Sequence, residues 1–288
     1  MGEFELKCKF CGGTDVRGLR KIKSPHADVE YTLFECGFCK QRFFQFSEHE
    51  SSQEILQKLY DRLAQRNKEQ FTVAFSHSRY WQHEVDTIKK LHPLPIKSVL
   101  DIGCRTGDFL MHWDKDIERA GVEASEYSSG IAEERGLKIY RDFVENVEFD
   151  HPFDVVSCYA LLEHLEEPKK VMNTFAALVR RGGTLVILIP AFNTRKQYKI
   201  WQDLQKRWHM YSPPEHLNFY TKEWLTDYFA NDFKLLDYKY TSGGMANPFE
   251  GIPVISHVGS RIMEYVDRIP QVNHRSIFDH LYLYFERK

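Results

Sequence analysis

The stretch that most limits what this chain can fold into covers residues 98–110. A short apolar run, Val99, Leu100 and Ile102 around Asp101, ends at Gly103; Cys104, Arg105 and Thr106 lead to Gly107, and Phe109 and Leu110 open a segment of helical character. Strand, tight loop and helix in that order place the loop at the carboxyl end of a parallel strand, where open α/β sheets bind their ligands. Gly103 and Gly107 allow a positive φ or a close approach of backbone to a ligand. The helix expected after the loop offers unpaired N–H groups.

A nucleotide ligand needs a second anchor. Gly121 and Val122 end the next short strand and deliver Glu123 twenty residues after Gly103, the distance at which a carboxylate accepts hydrogen bonds from ribose hydroxyls. Gly103 and Gly107 do not have the Gly-x-Gly-x-x-Gly spacing of dinucleotide sites. A dinucleotide is the main rival ligand, which this spacing counts against, and a plain βαβ unit is the ligand-free alternative.

The run Val99-Leu100-Asp101-Ile102-Gly103-Cys104, with Gly107, Phe109 and Leu110 behind it, resembles the first motif of class I S-adenosylmethionine-dependent methyltransferases (type 11/23). Later stretches are similar to that family's motifs and fall in its order. Residues 153–158 match its fourth strand, Leu161, Leu162, Glu163, His164 and Leu165 follow, and residues 181–187 match its Gly-Gly turn and fifth strand. The resemblance implies a Rossmann-like α/β fold with a seven-stranded sheet. Its sixth strand falls at 233–240, and its seventh, at 281–285, inserts antiparallel between the fifth and sixth. S-adenosylmethionine is the implied cofactor, held by Asp101, Gly103, Cys104, Gly107, Glu123 and Ala124, with Asp142 and Phe143 at the adenine and Tyr159 beside the methionine portion. For Asp142 and Phe143 the alternative is a surface turn over a buried ring. The family commonly has Gly where this chain has Arg105, a departure expected to narrow the loop.

Glu163 and His164 suggest an acid/base pair, but neighbours on a helix do not face each other, and loop and helix structure is the expectation there. Beyond Pro190, residues 191–214 are rich in cations and aromatics, among them Arg195, Lys199, Trp201, Arg207 and Trp208. Such side chains can grip a phosphate or diphosphate beside a sugar or ring; a solvated amphipathic helix explains them equally well. Glu215-His216-Leu217 with Phe219 then resembles a stretch found in many sugar and quinol methyltransferases. His216 and His209 are the candidate bases, since a neutral imidazole near pH 7 suits removal of a hydroxyl proton. The alternative for His216 is a ring that bonds backbone to shape its turn. The expected acceptor is a small glycan- or ring-bearing metabolite (a sugar, nucleotide sugar, glycolipid or quinol-like molecule) methylated on oxygen. RNA or protein methylation, and a scaffold without turnover, are the competing classes.

The amino-terminal stretch carries a second constellation. Cys8 and Cys11 form one Cys-x-x-Cys pair and Cys36 and Cys39 another, with 24 residues between the pairs. Four thiolates fill a tetrahedral zinc site and leave no open position for water, so the expected metal is structural Zn²⁺. Residues 31–35 alternate as a strand into the second pair and residues 42–46 as a partner strand out of it. The arrangement resembles a zinc ribbon; a module of about 45 residues has too little core to fold without such a staple. A redox dithiol and a rubredoxin-like iron site are the other readings.

The division that follows is a zinc-ribbon-like module over 1–48, a helical linker or cap over 49–95, and a methyltransferase domain over 96–288 with insertions at 191–220 and 241–280. Apolar residues recur at helical spacing over 52–60 and over 80–91, where Trp81, Val85 and Ile88 share a face. Phe71, Phe75, Tyr80 and Trp81 either wall a pocket or pack as ordinary core. A helix over 254–269 is expected as a lid, a lipid-facing cap or a dimer surface, so a homodimer is one candidate assembly. The net charge of −2 supplies no basic field of the kind nucleic-acid binders carry. No apolar run reaches the roughly 18 residues a membrane span needs. Six cysteines, two of them expected inside the α/β core, suit a reducing cytoplasm better than a disulfide framework.

Overall fold

The computed structural model describes residues 6–24, 29–45, 78–191, 210–241 and 280–288. The chain opens with β1 (Val16–Lys23), β2 (Glu30–Cys36) and β3 (Arg42–Phe44), followed by α1 (Ser78–Leu91) and β4 (Ser98–Ile102). Next come β5 (Glu118–Val122), α2 (Glu126–Glu134), β6 (Lys138–Tyr140), β7 (Phe153–Tyr159) and α3 (Pro168–Leu178). The last elements are β8 (Val179–Pro190), β9 (Asn218–Phe219), α4 (Lys222–Phe229), β10 (Phe233–Thr241) and β11 (His280–Arg287). The helices expected over 52–60 and 254–269, the basic insertion up to His209, and Phe71 and Phe75 lie outside the described residues. No helix among the described residues is long and apolar enough to cross a membrane.

Seven strands form one sheet in the order β10-β11-β8-β7-β4-β5-β6, the last strand of the chain lying between β8 and β10. β4 is buried along its whole length and β7 along all but its last residue, Tyr159, because each is an apolar run that a two-sided sheet can cover. β4 runs parallel to β5 and to β7, with Asp101 opposite Gly121 on one side and Ser157 on the other. β6 extends the sheet in parallel beyond β5.

The chain divides into two compact units. One comprises Phe46–Val186, Ala230–Leu236 and Tyr284–Lys288. Within it α1 buries Val85 and Ile88, the face its apolar spacing predicts. The same helix buries Glu84, whose carboxylate accepts a hydrogen bond from the Tyr284 hydroxyl at 2.9 Å. The segment after Gly107 corrects the sequence expectation, because it makes a single 3-10 turn over Leu110–His112 in place of a longer helix. Side chains three apart eclipse in a 3-10 turn, so Leu110 and Trp113 fall on one face, and both are buried. Asp114, Lys115 and Asp116 then offer no apolar position to continue the pattern before β5.

The other unit comprises Met1–Gln45, Ile187–Phe229 and Asp237–Leu283. Its sheet runs β1-β2-β3-β9. The expected strands on either side of the second cysteine pair are β2 and β3. β1 escapes a reading by apolar alternation because Arg17, Arg20, Lys21 and Lys23 occupy half of it. The fourth strand comes from far along the chain: β9 pairs antiparallel with β3, Arg42 opposite Phe219 and Phe43 opposite Asn218. Ala191, one residue past β8, bridges to Tyr220, one residue past β9. The ribbon is thus closed by the stretch that contains Glu215 and His216.

Candidate functional site

The carboxyl ends of β4, β5 and β7 bring together most of the predicted cofactor residues. Asp101 lies near the end of β4, 4% exposed, and accepts a hydrogen bond of 2.7 Å from the Ser157 hydroxyl on β7. Burial pushes its carboxyl up to about 7. The loop behind it turns at Gly103 (φ 75°) and Gly107 (φ 78°), a conformation that L side chains rarely adopt. Between them Arg105 also takes a left-handed φ of 52°, which accounts for the family's use of Gly at this position.

The geometry ties the two halves of the predicted motif together. Glu123 receives the Arg105 backbone N–H on one carboxylate oxygen at 2.9 Å and the Ser125 N–H on the other at 2.8 Å. Gly103 and Cys104 donate their N–H groups to the Val122 carbonyl, closing the loop onto the end of β5. Burial raises the Glu123 pKa, against the lowering effect of those two N–H donors. Ala124, the residue after Glu123, is exposed. Cys104 is buried with its sulfur packed on Gly121, where an added Cβ would stand 2.3 Å away. Its thiol therefore faces the sheet, and its contribution to the loop is backbone.

Asp142 and Phe143 follow β6, both exposed. Asp142 Oδ1 accepts from the Phe143 N–H at 2.7 Å and from Asn146 Nδ2 at 2.9 Å, and these bonds lower its pKa, the Asn146 amide most. Both bonds fall on one oxygen of Asp142, and the Phe143 ring is 47% exposed instead of buried beneath the turn. Tyr159, at the end of β7, meets Phe109 with ring centroids 4.9 Å apart and Trp81 of α1 at 5.2 Å. These three rings and Tyr80 are a cluster that periodicity alone could not assign to pocket or core. Glu163 and His164 sit in a turn, not on a helix, with His164 Nε2 at 3.8 Å from Glu163 Oε1.

In the other unit, the sulfurs of Cys8, Cys11, Cys36 and Cys39 lie within 4.8 Å of one another, enough to hold a metal ion. Cys8 and Cys39 are 3.6 Å apart and Cys11 and Cys36 3.5 Å, close to the separation of about 3.8 Å that four sulfurs at 2.3 Å from a tetrahedral ion would take. The N–H groups of Phe10 and Cys11 point at Cys8 and those of Phe38 and Cys39 at Cys36. Such donors favour thiolates, but at Cys36 burial outweighs them and raises the thiol pKa. Cys8 and Cys39 share one sulfur–sulfur hydrogen bond, which draws one thiol of the pair, Cys8, down to about 5 and pushes Cys39 up. The donor set fits a closed four-thiolate site.

His216 is half-buried in a turn shaped by Glu215 and His216 N–H bonds to the Ser212 carbonyl. Its Nδ1 lies 2.9 Å from the Met210 carbonyl. A carbonyl only accepts, so Nδ1 carries the proton and Nε2 is the basic nitrogen. His209 lies outside the described residues.

Residues that local patterns did not reveal surround this turn. Glu35 and Arg42 are paired at 3.0 Å with each side chain 1% exposed, Arg17 reaches the same carboxylate at 2.7 Å, and Arg42 Nη1 donates to the Tyr211 hydroxyl at 2.8 Å. Their signal was the cross-strand register, Glu35 opposite Arg42. Gln41 bonds Thr221, and no sequence signal pointed to it.

A parallel sheet with a glycine loop and an acidic residue at neighbouring strand ends defines a Rossmann-like nucleotide-binding class, and the strand order is that of class I methyltransferases. Residues 48–236 match the methyltransferase-domain family, and the chain belongs to it. An uncharacterized protein of Methanocaldococcus jannaschii is 32% identical over 37% of this chain and 50% of its own length. A ubiquinone biosynthesis O-methyltransferase of Yersinia pestis is 29% identical over 37% of this chain and 53% of its own. The chain thus spans about half the length of the curated relatives it matches. Among solved structures, the plantazolicin methyltransferase in complex with a desmethyl analogue and S-adenosylhomocysteine superposes with a TM-score of 0.54 at 14% identity, covering 82% of this chain and 96% of that one. Magnesium protoporphyrin IX methyltransferase from Synechocystis with bound S-adenosylmethionine gives 0.52 at 13% identity, over 84% and 100%. These two likenesses establish the fold.

Proposed function

We propose that the chain binds S-adenosylmethionine at the ends of β4, β5 and β7 and methylates a hydroxyl oxygen of a small glycan- or ring-bearing acceptor. The observation that carries the reading is the Glu123 carboxylate, fixed by the Arg105 and Ser125 N–H groups at the lip of the glycine loop. A carboxylate so placed suits ribose hydroxyls, and the buried Asp101 suits a cationic ligand. Asp142 and Phe143 serve the adenine, and the half-buried Trp81 and Tyr159 rings, packed on the buried Phe109, favour positive charge. When bound, the cofactor supplies a methyl group already activated on a sulfonium. The chain's own work is to align the acceptor and take its proton. His216 Nε2 is assigned that proton, because Nδ1 is committed to the Met210 carbonyl. The four cysteines are assigned structural Zn²⁺, whose coordination they would complete.

The test is a screen for S-adenosylhomocysteine formation with the metal-replete protein and quinols, catechols, nucleotide sugars and glycolipids, run beside a His216→Ala variant. Turnover on one class, lost by about 10²-fold or more without the imidazole, supports the reading. Turnover on RNA or protein alone, or full turnover by His216→Ala, contradicts it.

A further inference from the structure

The ribbon's knuckles do more than hold one another. Gln41, two residues past Cys39, is 1% exposed, and its backbone carbonyl accepts the Cys36 N–H at 3.0 Å. Its side-chain amide Nε2 donates to the Cys39 carbonyl at 2.8 Å and to Thr221 Oγ1 at 3.0 Å, while Oε1 accepts the Thr221 N–H at 2.8 Å. Thr221 stands 180 residues away in the chain and is itself buried. Its hydroxyl also caps α4, accepting the Trp224 N–H at 3.2 Å. Phe10, between the first two cysteines, packs edge-on against Tyr220 at 5.3 Å and Trp224 at 5.2 Å. The Phe44 N–H donates to the Leu217 carbonyl at 2.9 Å, directly after His216.

Both knuckles therefore abut one stretch, residues 220–224, through Phe10 of the first and Gln41 beside the second. An ordinary ribbon needs none of these bonds, since a four-thiolate site is complete within its own two turns. Among its described bonds, the buried Gln41 amide makes none that serve only the ribbon sheet: each side-chain bond runs to a knuckle carbonyl or to Thr221.

From this geometry we infer that the four-cysteine metal site acts as a clamp on the His216 segment, with Gln41 as the positioning residue that links metal occupancy to the order of residues 210–221. The inference rests on the function proposed above only in giving that segment an acceptor-side role; the coupling itself is a property of the fold. With the metal bound, the knuckles hold Gln41, Gln41 holds Thr221, and the turn around His216 is fixed at its downstream end. With the metal removed, the anchor is lost while the sheet around β4 and β5 keeps its own packing.

The experiment is hydrogen exchange on the full chain, zinc-loaded and after chelation, following peptides over 210–221 and over 98–122, with a Gln41→Ala variant measured at full zinc content. The expected result is loss of protection in 210–221 on chelation, unchanged protection in 98–122, and a partial loss in 210–221 for metal-replete Gln41→Ala. Unchanged protection of 210–221 after chelation overturns the inference, as does collapse of both peptides together or failure of the protein to bind zinc. Wild-type protection of 210–221 in Gln41→Ala removes Gln41 from the link. An S-adenosylmethionine titration of the same samples separates the two proposals: absent binding with intact coupling would sink the methyltransferase reading and leave the clamp standing.

Discussion

Replacing Arg42 by Met removes a guanidinium from a buried site and leaves its partner behind. Glu35 and Arg42 are each 1% exposed, so neither can recover its hydration by a side-chain swing. Breaking one partner of such a pair costs about 3–5 kcal/mol, most of it the penalty of an uncompensated buried charge. Arg17 still reaches the other Glu35 oxygen at 2.7 Å but is 62% exposed, and solvent screening limits what it can offset. The lost bond to the Tyr211 hydroxyl adds to the penalty. The net expectation is a loss of about 3 kcal/mol, a large share of the ~5–15 kcal/mol that holds a domain folded. In urea, with a slope of about 3 kcal/mol/M, the midpoint should fall by about 1 M. The double variant Arg42→Met/Glu35→Gln removes both charges and should recover most of the loss. The assay is urea unfolding of metal-replete protein by circular dichroism and tryptophan fluorescence together. A loss below about 1 kcal/mol for Arg42→Met, or a double variant no more stable than the single, would refute the reasoning.

Three further outcomes follow from the same geometry. The Asp101 carboxyl sits at about 7 in the folded chain, above its unfolded value. Its contribution to stability is therefore complete below about pH 4 and is lost as pH rises through 7, and Asp101→Asn should gain about 2–3 kcal/mol on wild type between pH 5 and 8. Parallel pH profiles in urea would contradict this. Arg105→Gly relieves a left-handed backbone worth about 1–2 kcal/mol but frees the unfolded chain, so stability should hold or rise by up to about 1 kcal/mol, whereas Arg105→Val should lose stability; thermal unfolding of the two decides it. Thr221→Ala removes the α4 cap and one of the Gln41 bonds and should cost about 1–2 kcal/mol, and a cost near zero would show the cap to be idle.

Much of the sheet was legible because its strands are short apolar runs with turns between them. β4 and β7 could be placed from Val99–Ile102 and Phe153–Cys158, and the two Cys-x-x-Cys pairs from their spacing alone. The parts that escaped are those set by distant pairing. Nothing local in Asn218-Phe219 says that two residues will add a strand to a ribbon that begins near residue 8. Arg42 reads as a solvent-facing strand position until Glu35 is seen opposite it. The segment after Gly107 carries helical apolar residues, but the eclipsed burial of Leu110 and Trp113 holds it to one turn. Cys104 sat inside the right motif, yet its thiol is spent on Gly121.

Glu123 and the glycine loop are proposed to form the S-adenosylmethionine site. Calorimetric titration of the metal-replete protein with S-adenosylmethionine, beside Glu123→Ala, tests it most directly. The account predicts micromolar-range binding by wild type, about −8 kcal/mol, weakened at least about tenfold in Glu123→Ala, whose fold is checked by its unfolding midpoint. No binding by folded wild type, or equal binding by the variant, would contradict it.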